Sequence, residues 1–273
     1  FDKSFLQLKP NIICINNIDA DHLDIYKNYQ NLENTFKAFV GNLKKDGIVF
    51  QNENLGFNGY KYGFSDKSDY FIDKLIYKQN ETEFEIKSKK NNYGKVIFRM
   101  PGKHNALNAL AAFSIAINLN LNPKNIISAL ESFSGIKRRF SIITKSPKIL
   151  IDDYAHHPSE IESIVYSVKK MYPNKSNLVV FQPHLFSRTK DFMIDFAKAL
   201  EKFDKIFLLN IYPAREEPIP GINSKQLLKI ISNDNKKIVS DRDLLKHLEE
   251  DDSEVIITLG AGDISEKVES IKK

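Results

Sequence analysis

The sequence predicts an α/β fold in which a segment with a small antiparallel sheet precedes a mostly parallel sheet. In the second half of the chain, short apolar runs alternate with longer segments of helical periodicity. Such alternation is typical of right-handed β–α–β units, which build parallel sheets. Residues 60–99 are instead aromatic, alternating in polarity and punctuated by turn residues, as in antiparallel strands.

The elements before and within this aromatic region can be assigned from their periodicity. The apolar residues 11–15 predict a buried strand, and residues 47–51 predict another. Between them, Leu32 and Phe36 begin an apolar series at helical spacing. The polar run at residues 87–92 indicates a hairpin turn rather than a binding patch.

The region after residue 100 begins with two helices and continues as strand–helix repeats. Helices are predicted over residues 106–118 and 123–133, and a domain boundary follows at residues 135–140. Strands are then predicted near residues 148–152, 177–181, 205–210, 236–239 and 254–259. Helices are predicted near residues 158–171, 188–201, 223–232 and 241–249, with a last one from about residue 263.

The composition is that of a globular protein. Of 273 residues, 42% are hydrophobic and 27% are charged, and the formal net charge is +5. Because lysines are interspersed with acidic residues, the charge indicates a solvated surface and no nucleic-acid partner. No apolar run approaches the roughly 20 residues of a membrane helix. The single cysteine, Cys14, has apolar neighbours and predicts a buried, inert thiol. We therefore predict a cytoplasmic protein without membrane insertion.

Two polar segments follow neighbouring strands and precede helices. Residues 152–158 (DDYAHHP) include Asp152, Asp153, His156 and His157. In an open α/β sheet, ligands bind outside the carboxyl ends of the strands, and charges ending a buried strand need a partner or a ligand. A purely structural alternative makes one aspartate a helix cap and leaves both histidines without a role.

The second polar segment, residues 182–189 (QPHLFSRT), repeats this arrangement at the next strand. Ser187 or Thr189 could serve only as a helix cap, whereas His184 and Arg188 have no such structural explanation. Together the two segments predict a site for an anionic, ionisable substrate.

Smaller motifs leave both functional and structural explanations open. His22 follows Asp21 at a strand end, where it could bind a metal or simply lie beside a helix cap. Asn105 and Asn108 share a helix face. Their carboxamides could bind the edge of an adenine ring, or one could be a helix N-cap and the other a polar surface residue.

The interdomain segment and the end of the last strand carry further motifs. In the interdomain segment, Arg138 and Arg139 could reach phosphates, although at least one is expected to be a solvated charge. Residues 260–262 (GAG) indicate a tight turn into the last helix. The sequence contains no phosphate loop, dinucleotide fingerprint, Cys/His metal cluster or nucleophile elbow.

In combination these strings resemble the Mur ligases. The matching stretches occur in the family's order at residues 16–26, 101–112, 133–140, 152–161, 181–189, 218–221 and 259–264. The match is strongest to the members that join L-alanine to UDP-N-acetylmuramate. The resemblance implies a central ATP-binding domain, of which residues 1–136 are the later part, and a Rossmann-like substrate domain over residues 137–273. It also implies ATP and Mg²⁺, with an acyl phosphate intermediate.

The resemblance further implies a role for each matching residue. His22 matches a magnesium-site histidine, Asn105 and Asn108 the adenine contacts, Arg139 a phosphate contact and Asp153 a ribose contact. Tyr154, His156, His184 and Arg188 match residues around the muramoyl and alanine groups, and His156, His184 and Arg188 are the predicted catalytic residues.

The chain departs from the family pattern in three places. Leu185 stands where some members carry a second arginine, and residues 51–60 form a shortened segment. The chain begins with Phe1, one step before a strand, and the family's phosphate loop and a magnesium-binding glutamate precede that point. We therefore expect a fragment that is inactive by itself.

Two alternatives remain open at this stage. A murein tripeptide recycling ligase resembles the first polar segment but diverges at the second. A non-catalytic module that binds a nucleotide sugar or a partner protein would need no phosphate loop. It would also have no need of the histidines and the arginine at the strand ends.

Overall fold

The computed structural model describes residues 3–19, 23–79 and 81–271. Contacts divide the chain into two compact units. The first comprises the residues up to Ile76 together with Glu81–Arg99 and Lys103–Phe133. The second comprises residues 77–80, Met100–Gly102 and the chain from Ser134 onward.

The first unit is built on a six-stranded sheet whose strands follow chain order. Its strands are β1 (Ile12–Ile15), β2 (Ile48–Asn52), β3 (Tyr60–Gly63), β4 (Tyr70–Lys78), β5 (Glu81–Ser88) and β6 (Asn92–Phe98). Its helices are α1 (Leu23–Tyr26), α2 (Tyr29–Gly41), α3 (Lys103–Asn118) and α4 (Pro123–Ser132).

The aromatic strands do not form a separate antiparallel sheet. The antiparallel expectation is confirmed for β5 and β6, whose turn lies within the polar run at residues 87–92. However, β3 pairs parallel with both β2 and β4, so these strands continue the sheet that β1 and β2 begin. An alternating pattern shows which side chains share a face, but it does not specify the direction of the neighbouring strand.

The expectation of a buried thiol at Cys14 is wrong. Ile13 and Ile15 are buried against α2, whereas Cys14 between them is exposed. Successive side chains of a strand point to opposite faces, so apolar sequence neighbours do not bury the residue between them.

The second unit contains a six-stranded sheet of order β11–β10–β9–β12–β8–β7. Its strands are β7 (Ser141–Thr144), β8 (Ile149–Asp153), β9 (Asn177–Phe181), β10 (Lys205–Leu208), β11 (Lys236–Ile238) and β12 (Val255–Leu259). Its helices are α5 (Pro158–Met171), α6 (Phe186–Asp191), α7 (Met193–Leu200), α8 (Ser224–Ile230), α9 (Leu244–Glu250) and α10 (Ile264–Ile271).

The predicted parallel sheet is confirmed, but it has one additional strand, and one predicted helix is divided in two. All five expected strands pair in parallel, and the unexpected β7 pairs antiparallel with β8. The helix expected over residues 188–201 is divided into α6 and α7 at Phe192. The described residues contain no helix with the length and hydropathy of a membrane span.

The central strands of this sheet are covered on both faces. Every residue of β8, β9 and β12 is buried, which suits strands between two layers of helices. Burying a large aliphatic side chain stabilises a fold by roughly 1.5–3 kcal/mol. Because β12 lies between β8 and β9, Leu259 is in register with both Asp153 and Phe181. The segments that follow the three strands therefore start from one edge of the sheet.

Candidate functional site

Two buried carboxylates end β8, and each has partners inside the second unit. Asp153 accepts hydrogen bonds from the backbone N–H of Phe140 at 2.6 Å and of Ala155 at 2.8 Å. Burial raises the pKa of Asp153 to about 6, although these hydrogen bonds oppose the shift. Asp152 accepts from the Thr258 hydroxyl at 2.8 Å, and burial raises its pKa as well.

The segment after β8 supplies its own helix cap. His157 is the N-cap of α5, where its Nδ1 accepts from the Ser159 N–H, and the Glu160 carboxylate accepts from the His157 N–H at 3.2 Å. The structural alternative, in which an aspartate caps α5 and neither histidine has a role, is therefore wrong. Among the described residues the buried His157 Nε2 has no hydrogen-bond partner, and the ring lies edge-on to Phe192 at 4.7 Å. His157 is a structural residue.

His156 points toward the second polar segment. Its backbone N–H donates to Glu160 Oε2 at 2.9 Å, and its Nδ1 lies 2.9 Å from the Tyr154 carbonyl oxygen. The His156 ring lies 5.2 Å from that of Tyr154 and 6.2 Å from that of His184. The structure thus brings together three of the predicted substrate-binding residues.

His184 and Arg188 form a close pair at the end of β9. Arg188 Nη1 lies 3.4 Å from His184 Nδ1, and Nδ1 must be the acceptor because a guanidinium only donates. Burial, together with the charge of Arg188, lowers the pKa of His184 to about 4. His184 is therefore uncharged at neutral pH, and Arg188 supplies the positive charge of this pair.

The helix that carries Arg188 has no cap of its own. Leu185 occupies the N-cap of α6 with φ 71° and makes no side-chain capping bond. Thr189 donates to the Leu185 carbonyl oxygen at 2.7 Å, and the Ser187 hydroxyl donates to Glu216. The alternative that Ser187 or Thr189 caps this helix is therefore wrong.

Sequence reasoning missed two residues that contact this segment, Tyr212 and Glu216. The Tyr212 ring stacks on His184 with centroids 5.7 Å apart and planes at 13°. Glu216 Oε2 accepts from the Ser187 N–H at 3.0 Å. Both residues follow β10, so the rule that placed ligands beyond β8 and β9 could have found them at this third strand end.

The two interdomain arginines differ. The Arg138 guanidinium lies 4.6 Å from the centre of the Tyr154 ring and donates to the carbonyl oxygens of Gly260 and Gly262. Its Nε lies 3.8 Å from Asp152 Oδ2. Arg138 is thus held within the second unit beside a predicted substrate-binding tyrosine.

Arg139 is the more exposed of the two arginines. Its side chain is 46% exposed, with Nη1 3.6 Å from Glu160 Oε1, and its guanidinium lies 5.9 Å from the Tyr154 ring centre. The phosphate contact assigned to Arg139 stays a prediction, as does the ribose contact of Asp153.

The Gly260–Gly262 turn also holds the end of β9. Gln182 accepts from the Ile264 N–H at 3.2 Å and donates to Asp263 at 2.6 Å, at the start of α10. A β-carbon on Gly262 would lie 2.4 Å from the Gln182 Oε1 atom and 2.7 Å from Tyr212 Cγ. The turn into the last helix is confirmed, and it has room only for glycine at this position.

The predicted adenine contacts lie on α3 of the first unit and differ in exposure. Asn105 is buried, whereas Asn108 is exposed and accepts a hydrogen bond from Asn16 Nδ2 at 3.3 Å. The Tyr62 hydroxyl lies 2.6 Å from Asn16 Oδ1. This chain of bonds orients the Asn108 amide at the protein surface.

The predicted metal residue, His22, lies outside the described residues, as does Asp21. Among the residues that are described, no group of three or more His, Cys, Asp and Glu side chains could hold a metal ion. The assignment of His22 to a metal site therefore stays a prediction, and the described residues add no further ligand group to it.

Two family models match the chain. The Mur ligase middle domain matches residues 2–116, and the Mur ligase glutamate ligase domain matches residues 138–262. The chain belongs to the Mur ligase family. The resemblance noted in the sequence is thereby confirmed, while the domain boundary at residues 136–137 stays a prediction.

Relatives and solved structures refine this placement among the Mur ligases. The chain is 46% identical to the UDP-N-acetylmuramate–L-alanine ligases of Christiangramia forsetii and Flavobacterium psychrophilum, over all of this chain and 61% of each relative. The crystal structure of UDP-N-acetylmuramate–alanine ligase MurC from Thermotoga maritima matches with a TM-score of 0.80 and 26% identity. That match covers 99% of this chain and 60% of the Thermotoga chain, and it confirms the predicted fold class. The chain thus spans about 61% of the length of the first two relatives.

Proposed function

We propose that the protein containing this chain joins L-alanine to UDP-N-acetylmuramate in an ATP-dependent reaction of peptidoglycan precursor synthesis. The observation that carries the proposal is the convergence of Tyr154, His156, His184 and Arg188 beyond the ends of β8 and β9. The names of relatives that match the whole chain support the same substrates. The site of the reaction is proposed to be the cytoplasm.

Arg188 is the group we assign to the alanine carboxylate. A guanidinium presents donors in a planar fork that matches a carboxylate. Arg188 is 92% buried, with 8% of its surface exposed, so a bound carboxylate would meet it in a poorly screened environment. The neutral His184 beside it adds hydrogen-bonding capacity without adding a second charge.

The reaction then requires an aimed, neutral amine. The amine nitrogen attacks the carbonyl carbon of the acyl phosphate, an N–C bond forms, the C–O bond to phosphate breaks, and the nitrogen loses a proton. We assign to His156 and Tyr154 the role of orienting this amine, beside Arg188, toward the carbonyl carbon. His156 is the group of the cluster that we assign to the departing proton.

The nucleotide contacts are assigned to two exposed and two buried polar groups. Asn108 presents an amide at the surface of α3, Asn105 supports the same helix from the buried side, and Arg139 presents an exposed guanidinium. We assign the first two to adenine, Arg139 to a phosphate and Asp153 to the ribose. Mg²⁺, when bound, would neutralise charge on the transferring phosphoryl group, and His22 is the residue proposed to contact it.

A phosphate-release assay tests the proposal. The protein expressed from its complete reading frame should release phosphate from ATP with Mg²⁺, UDP-N-acetylmuramate and L-alanine. Turnover only when a murein tripeptide replaces L-alanine would contradict the choice of amine and favour the recycling ligase. Binding of the nucleotide sugar without turnover of either substrate would favour a non-catalytic module.

A further inference from the structure

We propose that Tyr212 and Glu216 are positioning residues that hold His184 and Arg188 in place for the substrate carboxylate. The proposal rests on the function proposed above, in which Arg188 binds that carboxylate. Neither residue is assigned a contact with the substrate. They act by stabilising the start of α6, which has no capping side chain of its own.

The first observation is that α6 is short and lacks a local cap. It has six residues, well below the length at which an isolated helix is stable in water. Its N-cap residue is Leu185, whose side chain cannot accept a hydrogen bond. Leu185 also has φ 71°, a region that is unfavourable for a residue with a β-carbon. This conformation persists only if surrounding groups enforce it.

Glu216 supplies the missing cap from a distant part of the chain. Its Oε2 accepts from the Ser187 N–H at 3.0 Å, and its Oε1 accepts from the Ser187 hydroxyl. Burial alone would raise the pKa of Glu216, but hydrogen bonds from Ser187 and from the Phe186 N–H lower it below its ordinary value. The carboxylate is therefore ionised at neutral pH, and negative charge at a helix N-terminus is favourable.

Tyr212 holds the residues just before the helix. Its ring stacks on His184, its carbonyl oxygen accepts from the Leu185 N–H at 2.9 Å, and its N–H donates to the Pro183 carbonyl oxygen at 2.8 Å. Tyr212 also lies close to Gly262, where an added β-carbon would be 2.7 Å from Tyr212 Cγ. Tyr212 is therefore packed against both His184 and the glycine turn.

Tyr212 and Glu216 therefore control the position of the Arg188 charge without contacting the substrate. His184 Nδ1 accepts from Arg188, which directly follows Ser187, the residue that Glu216 binds. Loosening α6 would move both groups by small distances, and misplacements of about 1 Å cost activity. The same change would leave the nucleotide contacts on α3 intact.

Kinetics of Glu216→Ala test this role, with Glu217→Ala as the matched control because Glu217 is exposed. In the protein from the complete reading frame, E216A should raise the KM for L-alanine about tenfold while the KM for ATP stays within about twofold. E216Q retains one accepting oxygen and should recover part of the loss. An unchanged KM for L-alanine in E216A would overturn the positioning role.

Amide hydrogen exchange provides a readout that needs no ligase activity. Exchange should accelerate at residues 186–191 in E216A but not in E217A, with the amides of α5 as an internal reference for folding. Unchanged exchange at residues 186–191 would overturn the contact itself. If the wild-type protein does not use L-alanine, the proposed function fails, and the exchange result still decides whether Glu216 holds α6.

Discussion

The two polar segments of the second unit look alike in sequence but are stabilised in different ways. Both follow a fully buried parallel strand and lead into a helix. The helix after β8 has 14 residues and is capped by His157 and Glu160 from its own first turn. The helix after β9 has 6 residues, and its first turn is bound by Glu216, 29 positions from Ser187. The cap of the first helix is therefore local in sequence, whereas that of the second comes from a remote loop.

The two segments also differ in charge. The first begins with two buried carboxylates whose pKa values are raised by burial. The second carries the buried cation Arg188 and a histidine whose pKa is lowered to about 4. The ring contact between His156 and His184 joins them. The site therefore combines an acidic segment, whose helix is capped locally, with a cationic segment, whose helix is bound by Glu216.

Replacing Arg188 should have the largest effect. Arg188→Ala removes the cation assigned to the carboxylate and should lower kcat/KM for L-alanine by about 100-fold. Arg188→Lys should restore only part of it, because an ammonium lacks the planar fork. The exposed Lys190 on the same helix provides the control, and K190A should behave as wild type. Unaltered alanine kinetics in R188A would show that the carboxylate binds elsewhere.

Replacing Asp153 should affect the stability of the β8 segment. Asp153→Asn turns an amide toward a backbone N–H and should lower the free energy of unfolding by about 2 kcal/mol, measured with urea at pH 7. Circular dichroism of D153N before urea is added verifies that the variant is folded. No loss of stability would mean that the two backbone hydrogen bonds contribute little.

The same variant should change the dependence of stability on pH. The folded-state pKa of Asp153, about 6, lies above that of an unfolded aspartate. A raised carboxyl pKa stabilises the fold at low pH, and this contribution is lost as pH rises from about 4 to 6. The stability difference between wild type and D153N should therefore shift in favour of D153N over that interval. The exposed Asp191 is the control, and a D191N curve parallel to that of D153N would contradict the assignment.

Removing the local cap of α5 should have a moderate effect on stability. His157→Ala deletes the acceptor for the Ser159 N–H and should lower the free energy of unfolding by about 1 kcal/mol. His157→Ser should recover most of this loss, because a serine hydroxyl also accepts at an N-cap. Urea unfolding of both variants measures the difference. Equal stability of H157A and wild type would mean that the capping box is dispensable.

The smallest effect is expected at Leu185. Leu185→Gly removes the β-carbon from a residue with positive φ, while glycine adds freedom to the unfolded chain. The two effects nearly cancel, so the free energy of unfolding should rise by no more than about 1 kcal/mol. Urea unfolding of L185G and wild type measures this change. A clear loss of stability in L185G would show that the leucine side chain contributes packing that outweighs its strain.

The sequence predicted the features that arise from periodicity and from parallel topology. Alternating apolar runs located five strands of the second sheet, and the rule about strand ends placed residues 152–158 and 182–189 at one edge. The convergence of His156 and His184 follows from the adjacency of their strands to β12. These predictions needed only patterns that extend over many residues.

The remaining features depend on contacts between remote residues or on single dihedral angles. Glu216 and Tyr212 could not be paired with α6 from sequence, because the loop that carries them has no periodicity. The cap at His157 was missed because histidine seldom occupies an N-cap, where Ser, Thr, Asp and Asn predominate. The partly buried β7 gave no strong apolar signal, and the exposure of Cys14 depends on which face of β1 it occupies.

The glycine turn beyond β12 makes the site vulnerable at a position assigned no contact with substrate. Carbonyl groups of Gly260 and Gly262 bind Arg138, and Gly262 has space only for the Tyr212 ring and the Gln182 amide. A single methyl group at Gly262 would press on Gln182 of the second polar segment and on Tyr212, whose ring stacks on His184. Tolerance to mutation should therefore be lower at this glycine than at many residues that line the site.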